Sequence, residues 1–563
     1  MKTSLVGCAL FVFASLTVSG TGRSVTKPEE LTLIERALPQ QSTVRPAKPR
    51  RLLIFGLNVG YPGHASIAHA NEAFSRMGQA TGAYEAVVSD DPAVFEKESL
   101  RRFDAVFLNN VVGNPFSDPE LRRNLLEFVT GGGGLLGVHG TSAAFSRWPG
   151  AVEDWPEFAS MIGARGVIHK AADEPITIKL DDPGHPLNRT FGGRDFTYSN
   201  EFFRFRAPYS RDRVRVLLSI DTVRTDLTTG PTRPGLIRDD NDYALAWVRH
   251  YGLGRVFYST IGHSPSVFWD PAMLRFYLDA VQFALGDLRV PTTPSARLTP
   301  AIRAQETLGW KLGIEAYTFH KFSFFETIEK TAQLGLPYIG GLNFQKVSKE
   351  LPKNFDPSLS DDELRGIREK LDAHGLRLLT FFIQNIPNDE VACRRIFEFG
   401  RKMGVETFLS EPKPEALDLI ERFCDEYGIN VALHNHAQKA SPQYWHPSGV
   451  LQACTGRSPR IGACADIGYW LRSGIDPIEG ARILKDRLLI VQMHDLHAAG
   501  PDGHDVPWGT GIGKSAEFFR ELHRLGIKPA MIGLEYSHDW FESLPKIAEC
   551  IEFFNATTLQ LAR

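Results

Sequence analysis

The sequence predicts an α/β protein of two domains, a doubly wound N-terminal domain followed by a (β/α)8 TIM barrel. Three observations carry this. Eight short apolar runs, at 312–318, 337–343, 377–383, 406–411, 429–435, 461–466, 488–494 and 530–536, are mostly separated by helical patterns such as 324–334, 361–374 and 414–427. Eight βα units in about 250 residues is the proportion of a barrel. Later runs end in metal-ligand residue types, His434, Asp466, His494 and Glu535, at steps of 32, 28 and 41 residues. Between 50 and 288, apolar runs at 51–56, 103–108, 135–138 and 255–260 alternate with helical patterns such as 118–129, where Leu121, Leu125 and Phe128 share a face. That alternation is doubly wound α/β logic.

In chain order, residues 1–20 have the pattern of an export signal: Lys2, an apolar stretch over 5–16, and the small residues Val18-Ser19-Gly20. The apolar stretch is too short for a membrane span. The expected location is therefore periplasmic or secreted. Residues 21–49 are polar and Pro-containing, and are expected to be a tether. The first domain covers 50–288. A Pro/Thr-rich stretch, Val290-Pro291-Thr292-Thr293-Pro294-Ser295 and then Thr299-Pro300, marks a linker over 289–308. The barrel occupies 309–563.

A hydrophobic fraction of 43%, a charged fraction of 23% and a net charge of −3 are those of a globular protein without the clustered positive charge that nucleic acids attract. No nucleic-acid partner and no membrane span are expected. Removal of the first segment leaves Cys393, Cys424, Cys454, Cys464 and Cys550, with no CxxC pair. These are expected to be buried, unpaired thiols.

Taken singly, each strand-end acid or imidazole fits a satisfied core residue. Four at successive strand ends favour a metal, because a cluster of unpaired buried carboxylates is costly. Mixed N and O donors suit a divalent Mn, Co, Zn or Fe ion, with Mg also admitted. Glu411, ending the fourth run, is a fifth ligand or an acid/base group. His436 lies two residues beyond His434 on the same strand face, where ligand, substrate contact and core hydrogen bonding all remain open. His497, His504, Asp505 and Trp508 fall in or near the seventh βα loop, and His504, Asp505 and Trp508 are expected substrate contacts.

The ordered motifs Val431-Ala432-Leu433-His434-Asn435-His436, Cys464-Ala465-Asp466-Ile467-Gly468, Met493-His494-Asp495, 505–511 and Gly533-Leu534-Glu535-Tyr536 resemble the sugar-phosphate isomerase/epimerase superfamily of xylose isomerase-like barrels, over about 310–560. The resemblance implies a divalent metal on strands five to eight and proton abstraction next to a carbonyl. Asp466, His494 and Glu535 match the last three ligands; the fifth-strand position, usually Glu, is His434 here. One member of the epimerases' catalytic Glu pair is thus missing. The resemblance then favours a one-face reaction (isomerisation, dehydration or β-elimination, on a sugar such as a 3-keto-glycoside), with Glu535, Glu411 and His436 as proton carriers. The DNA-repair branch is not expected: the second and third runs end without His, and Tyr469 stands where a His often follows the sixth-strand Asp.

Between 50 and 288, the motifs 133–140, Ile168-His169, Gly184-His185-Pro186-Leu187, Asn200-Glu201-Phe202, 251–258 and Ile261-Gly262-His263 resemble the trehalose-utilisation (ThuA-like) domain, similar in fold to class I glutamine amidotransferases. Where those enzymes carry a nucleophilic Cys, this chain has His139-Gly140-Thr141-Ser142, and the domain has no Cys, so thiol chemistry is excluded. His64, His139, His169, His185, Glu201 and His263 remain as a second metal or sugar site. The reading is an exported, metal-dependent sugar enzyme with a small-molecule sugar partner and self-association left open. The alternatives are a non-catalytic carbohydrate-binding protein and catalysis residing in the N-terminal domain.

Overall fold

Two sheets organise the chain, one open and one closed. The computed structural model describes residues 25–148, 150–228 and 233–563, so the expected export signal lies outside the described residues. The open sheet has nine strands in the order Glu85–Ser89, Arg51–Phe55, Ala105–Asn109, Gly134–Val138, Gly254–Ser259, Ala244–Tyr251, Arg215–Ile220, Glu174–Leu180 and Phe196–Asn200. The first five are parallel and carry the expected doubly wound half. The other four continue antiparallel, so the sheet as a whole is mixed. Helix Pro119–Thr130 begins where Asp118 accepts the Glu120 amide and Pro119 occupies the first turn. Proline is favoured there because its missing N–H has no intrahelical partner to lose.

The second sheet is a closed parallel barrel of Leu312–Ile314, Tyr338–Leu342, Arg377–Phe382, Thr407–Ser410, Asn430–Leu433, Ile461–Asp466, Leu488–Met493 and Met531–Leu534. All eight expected runs are present. Most are shorter than expected because the chain leaves the ladder just where the chemical residues begin. Glu315, Glu411, His434, His494 and Glu535 each follow a strand by one residue, and Asp466 ends its own. All therefore gather at the C-terminal mouth. Glu315 lies against Gly340 and Gly533, and a Cβ at either position would collide with its carboxylate.

Two expected connectors are structured. In the segment expected to be a tether, Pro28–Ala37 is a helix with Glu30 accepting the Lys27 amide, and it packs on helix Ser66–Thr81. Further along, the Thr43 amide donates to Gln282 at 2.7 Å. In the expected linker, Thr299 caps helix Pro300–Leu308, which packs on the C-terminal helix Leu544–Leu561. Its Thr-Pro punctuation is a helix start, not a break. The five described cysteines are free and buried, and no helix among the described residues is long and apolar enough to cross a membrane.

The domains meet through charged pairs. Arg215 joins Asp182 at 2.6 Å and reaches Glu306 at 2.6 Å. Arg368 pairs with Glu157 at 2.9 Å. Asp372 receives both Arg249 and, at 3.3 Å, Arg213. Asp372 and Arg249 are almost fully buried, so removal of the acid strands a buried guanidinium. We expect Asp372→Ala to destabilise the protein by about 3 kcal/mol. Calorimetry checks this: the apparent Tm should fall, and an unshifted transition would show that the pair does not hold the domains together.

Candidate functional sites at two strand-end mouths

In the barrel, Asp466, His494 and Glu535 place one ligand atom each within 4.8 Å of the others. Asp466 is positioned twice over. It caps the helix that follows by accepting the Tyr469 amide at 2.9 Å, and its backbone is clasped by Asn435, whose side chain accepts the Asp466 amide and donates to its carbonyl. Glu535 accepts from Gln492 at 3.1 Å through one oxygen. Burial, opposed by His494 and reinforced by Asp466, raises the Glu535 carboxyl to about 7.

His494 supplies the test of a cation. Its Nδ1 lies 2.7 Å from Asp505, an acceptor-only group, so Nδ1 carries the proton and donates it. Its Nε2 is buried, without a hydrogen-bond partner, and 3.8 Å from both Asp466 Oδ1 and Glu535 Oε1. A lone pair aimed between two carboxylate oxygens fits a divalent ion, with Asp505 orienting the imidazole from behind. Asp466, His494 and Glu535 would hold that ion.

The expected fourth ligand, His434, stands in a second group with Glu411 and His436. Its Nδ1 lies 3.0 Å from Glu411 and its Nε2 3.5 Å from Asp466, so it bridges the two groups. Burial disfavours charge on His434, but the two acids outweigh it and lift the imidazole to about 10. Burial likewise opposes the Glu411 carboxylate, yet His434 and His436 hold it down at about 2. His436 is hydrogen bonded to Glu411, holds its ring tilted 4.7 Å from that of Tyr469, and is the most exposed member of the group.

Of the three expected substrate contacts, two are corrected. Trp508 is buried in the barrel shell against Phe519 and Phe554, where its large apolar ring is removed from water. Asp505 is buried too, with one oxygen on His494 and the other accepting the Ser537 amide at 2.9 Å. It orients His494, and each of its oxygens already accepts a hydrogen bond. His504 is at the loop surface, its ring between those of His497 and His538. Sequence reasoning missed Glu315. Burial, reinforced by Glu535, pushes its carboxyl up to about 8, and Thr380 donates to it. The signal was available: an acid within the first apolar run, as Glu535 lies within the eighth.

The N-terminal domain has a second mouth. His64 follows the strand Arg51–Phe55 by a loop, His139 follows Gly134–Val138, Glu201 follows Phe196–Asn200, and His263 lies beyond Gly254–Ser259. Their ligand atoms also lie within 4.8 Å of one another. His169 joins from the side, 3.0 Å from Glu201. His185 does not belong. It caps a 3-10 turn by accepting the Leu187 amide and donates to the Pro291 carbonyl, so the interior uses both its nitrogens.

Residues 51–284 match the family model described as trehalose utilisation (ThuA), and residues 328–557 match the one described as xylose isomerase-like TIM barrel. No curated protein matches the chain. Among solved structures, an uncharacterised protein from Parabacteroides distasonis is 33% identical, over 44% of this chain and 98% of its own, with a TM-score of 0.37. A ThuA-like protein from Bacteroides uniformis is 18% identical, over 43% and 94%, with a TM-score of 0.35. A D-allulose 3-epimerase from Methylomonas sp. is 14% identical, over 44% and 98%, with a TM-score of 0.36.

The role of Asp505 gives a test that needs no substrate. Asp505→Asn replaces an acceptor with a group that can present N–H to His494 Nδ1 and reverse its tautomer. The barrel's affinity for added Co2+ or Mn2+ should drop about 10–100-fold. Isothermal titration measures this, and unaltered affinity would remove His494 from the ligand set.

Proposed function

We propose, for a chain that joins a trehalose-utilisation domain to a xylose isomerase-like barrel, that the barrel moves a proton next to the carbonyl of a sugar, in an isomerase/epimerase-like or lyase reaction on a keto-sugar. The observation that carries this is the pairing, at one buried mouth, of the Asp466–His494–Glu535 triad with the separate Glu411–His434–His436 group. A divalent cation held by the triad would polarise the substrate carbonyl and stabilise the negative charge that grows on its oxygen.

Each chain group then has a distinct task. Glu535, whose carboxyl is raised to about 7, can accept a carbon-bound proton and return it near neutral pH. His436 reaches farthest toward solvent and is hydrogen bonded to Glu411, so this pair can serve the substrate's second reacting atom. His434 joins Glu411 to Asp466, coupling the two groups electrostatically. The two groups differ chemically, one carboxylate-rich and one an imidazole–carboxylate pair. That asymmetry supports a one-face isomerisation, dehydration or elimination over symmetrical epimerisation. The apolar stretch behind Lys2 supports export as part of the same proposal.

Incubation of the purified chain with a panel of ketoses and 3-keto-glycosides in D2O, followed by NMR, tests the reading. The wild type should exchange a carbon-bound proton on at least one sugar, and chelation should abolish the exchange. Glu535→Gln and His436→Ala should each lower the rate about 10²–10⁴-fold. Undiminished exchange in Glu535→Gln would sink the assignment.

A further inference from the structure

We infer that the N-terminal domain holds a divalent metal of its own, ligated by His64, His139, Glu201 and His263 at the C-terminal edge of the open sheet. The ion would be of the borderline class, Zn2+, Fe2+, Co2+ or Mn2+, because three imidazoles and one carboxylate form a donor set that such ions prefer to Ca2+ or Mg2+. The site is independent of the barrel and of the reaction proposed for it.

The hydrogen bonds around His139 carry the inference. His139 Nδ1 lies 3.0 Å from the carbonyl of Thr260, which can only accept, so Nδ1 bears the proton. In the neutral ring Nε2 is then bare, yet it faces a Glu201 carboxylate oxygen at 3.2 Å. Two acceptors face each other in a buried place. A cation between them, whether a proton or a metal ion, resolves the conflict.

The neighbouring rings favour the metal. His64 and His263 crowd the same point, with ring centroids 4.9 Å and 5.2 Å from that of His139 and 5.4 Å from each other. His263 Nε2 lies 3.8 Å from the second Glu201 oxygen. The Nδ1 atoms of His64 and His263 are both buried and have no hydrogen-bond partner. Four donors collected within 4.8 Å need only a small contraction to reach metal bonds of about 2.1 Å.

The backbone is arranged for the same purpose. His139 adopts φ 41°, a left-handed conformation that costs a residue with a side chain of order 1 kcal/mol or more. Strain of this kind is retained where a side chain must be aimed. Here it turns the imidazole out of the strand end, and the Tyr258 hydroxyl fixes the same residue by donating to its carbonyl at 2.6 Å. The donors come from four different strand ends, in the crevice where open α/β sheets bind ligands. The mouth stays open on the side of His169 and His263, whose side chains are 35% and 26% exposed, so solvent or a small oxygen ligand can reach the ion.

The full-length chain, stripped by chelation and soaked in Co2+, tests this by anomalous diffraction at the cobalt edge. A peak among His64, His139, Glu201 and His263 is expected. Its absence at saturating Co2+ would overturn the inference and leave His139 and Glu201 a hydrogen-bonded pair. In solution, about two equivalents should bind per chain, falling to about one in His64→Ala/His263→Ala and in Glu201→Gln. Folded variants that keep both equivalents would overturn it as well; if the variants do not fold, the wild-type map decides. The two readings fail separately: density only in the barrel defeats this one, and density only here defeats the barrel triad.

Discussion

At the barrel mouth, the acid Asp466 links the two clusters of acids and imidazoles. Its oxygens face His434 on one side and His494 on the other, while its backbone is clasped by Asn435 and its side chain caps the following helix. A buried carboxylate survives only when its lone pairs are occupied. The occupants here are the imidazoles of His434 and His494 and the Tyr469 amide. His494 in turn requires Asp505, and His434 requires Glu411. The chain of dependence runs outward from one residue to both ends of the site, so the arrangement of acids and imidazoles follows largely from keeping Asp466 ionised inside a barrel.

Much of this was legible in the sequence because strands impose a simple rule. Successive parallel strands end at the same rim, so residue types recurring at the ends of apolar runs must converge. That rule located Asp466, His494, Glu535, His434 and Glu411; His64, His139, His169, His185, Glu201 and His263 came instead as the His and Glu of a domain known by its motifs. The rule could not separate ligands from the residues that orient them. Asp505 and Trp508 share one loop with His504, and only packing shows that Asp505 turns inward to His494 while Trp508 enters the shell. Glu315 escaped because it belongs to no motif; its meaning comes from the glycines on two neighbouring strands that leave space for it.

The connectors were misjudged for a different reason. Proline and threonine are breakers within a helix but favoured at its first turn. Thr299-Pro300 therefore looks the same whether it ends order or begins it. Glu30 accepts the Lys27 amide at the start of the first helix, but nine or ten residues of modest polarity do not announce the surface they will cover.

The helix Pro300–Leu308 binds the C-terminal helix of the barrel on one side, and through Glu306 and Arg303 it meets Arg215 and Asp182 of the open sheet on the other. The stretch that divides the domains in sequence thus acts as a rivet between them in space. A gene fragment cut there would carry half of a charged joint. Dividing this chain there would cost each half the other side of that joint.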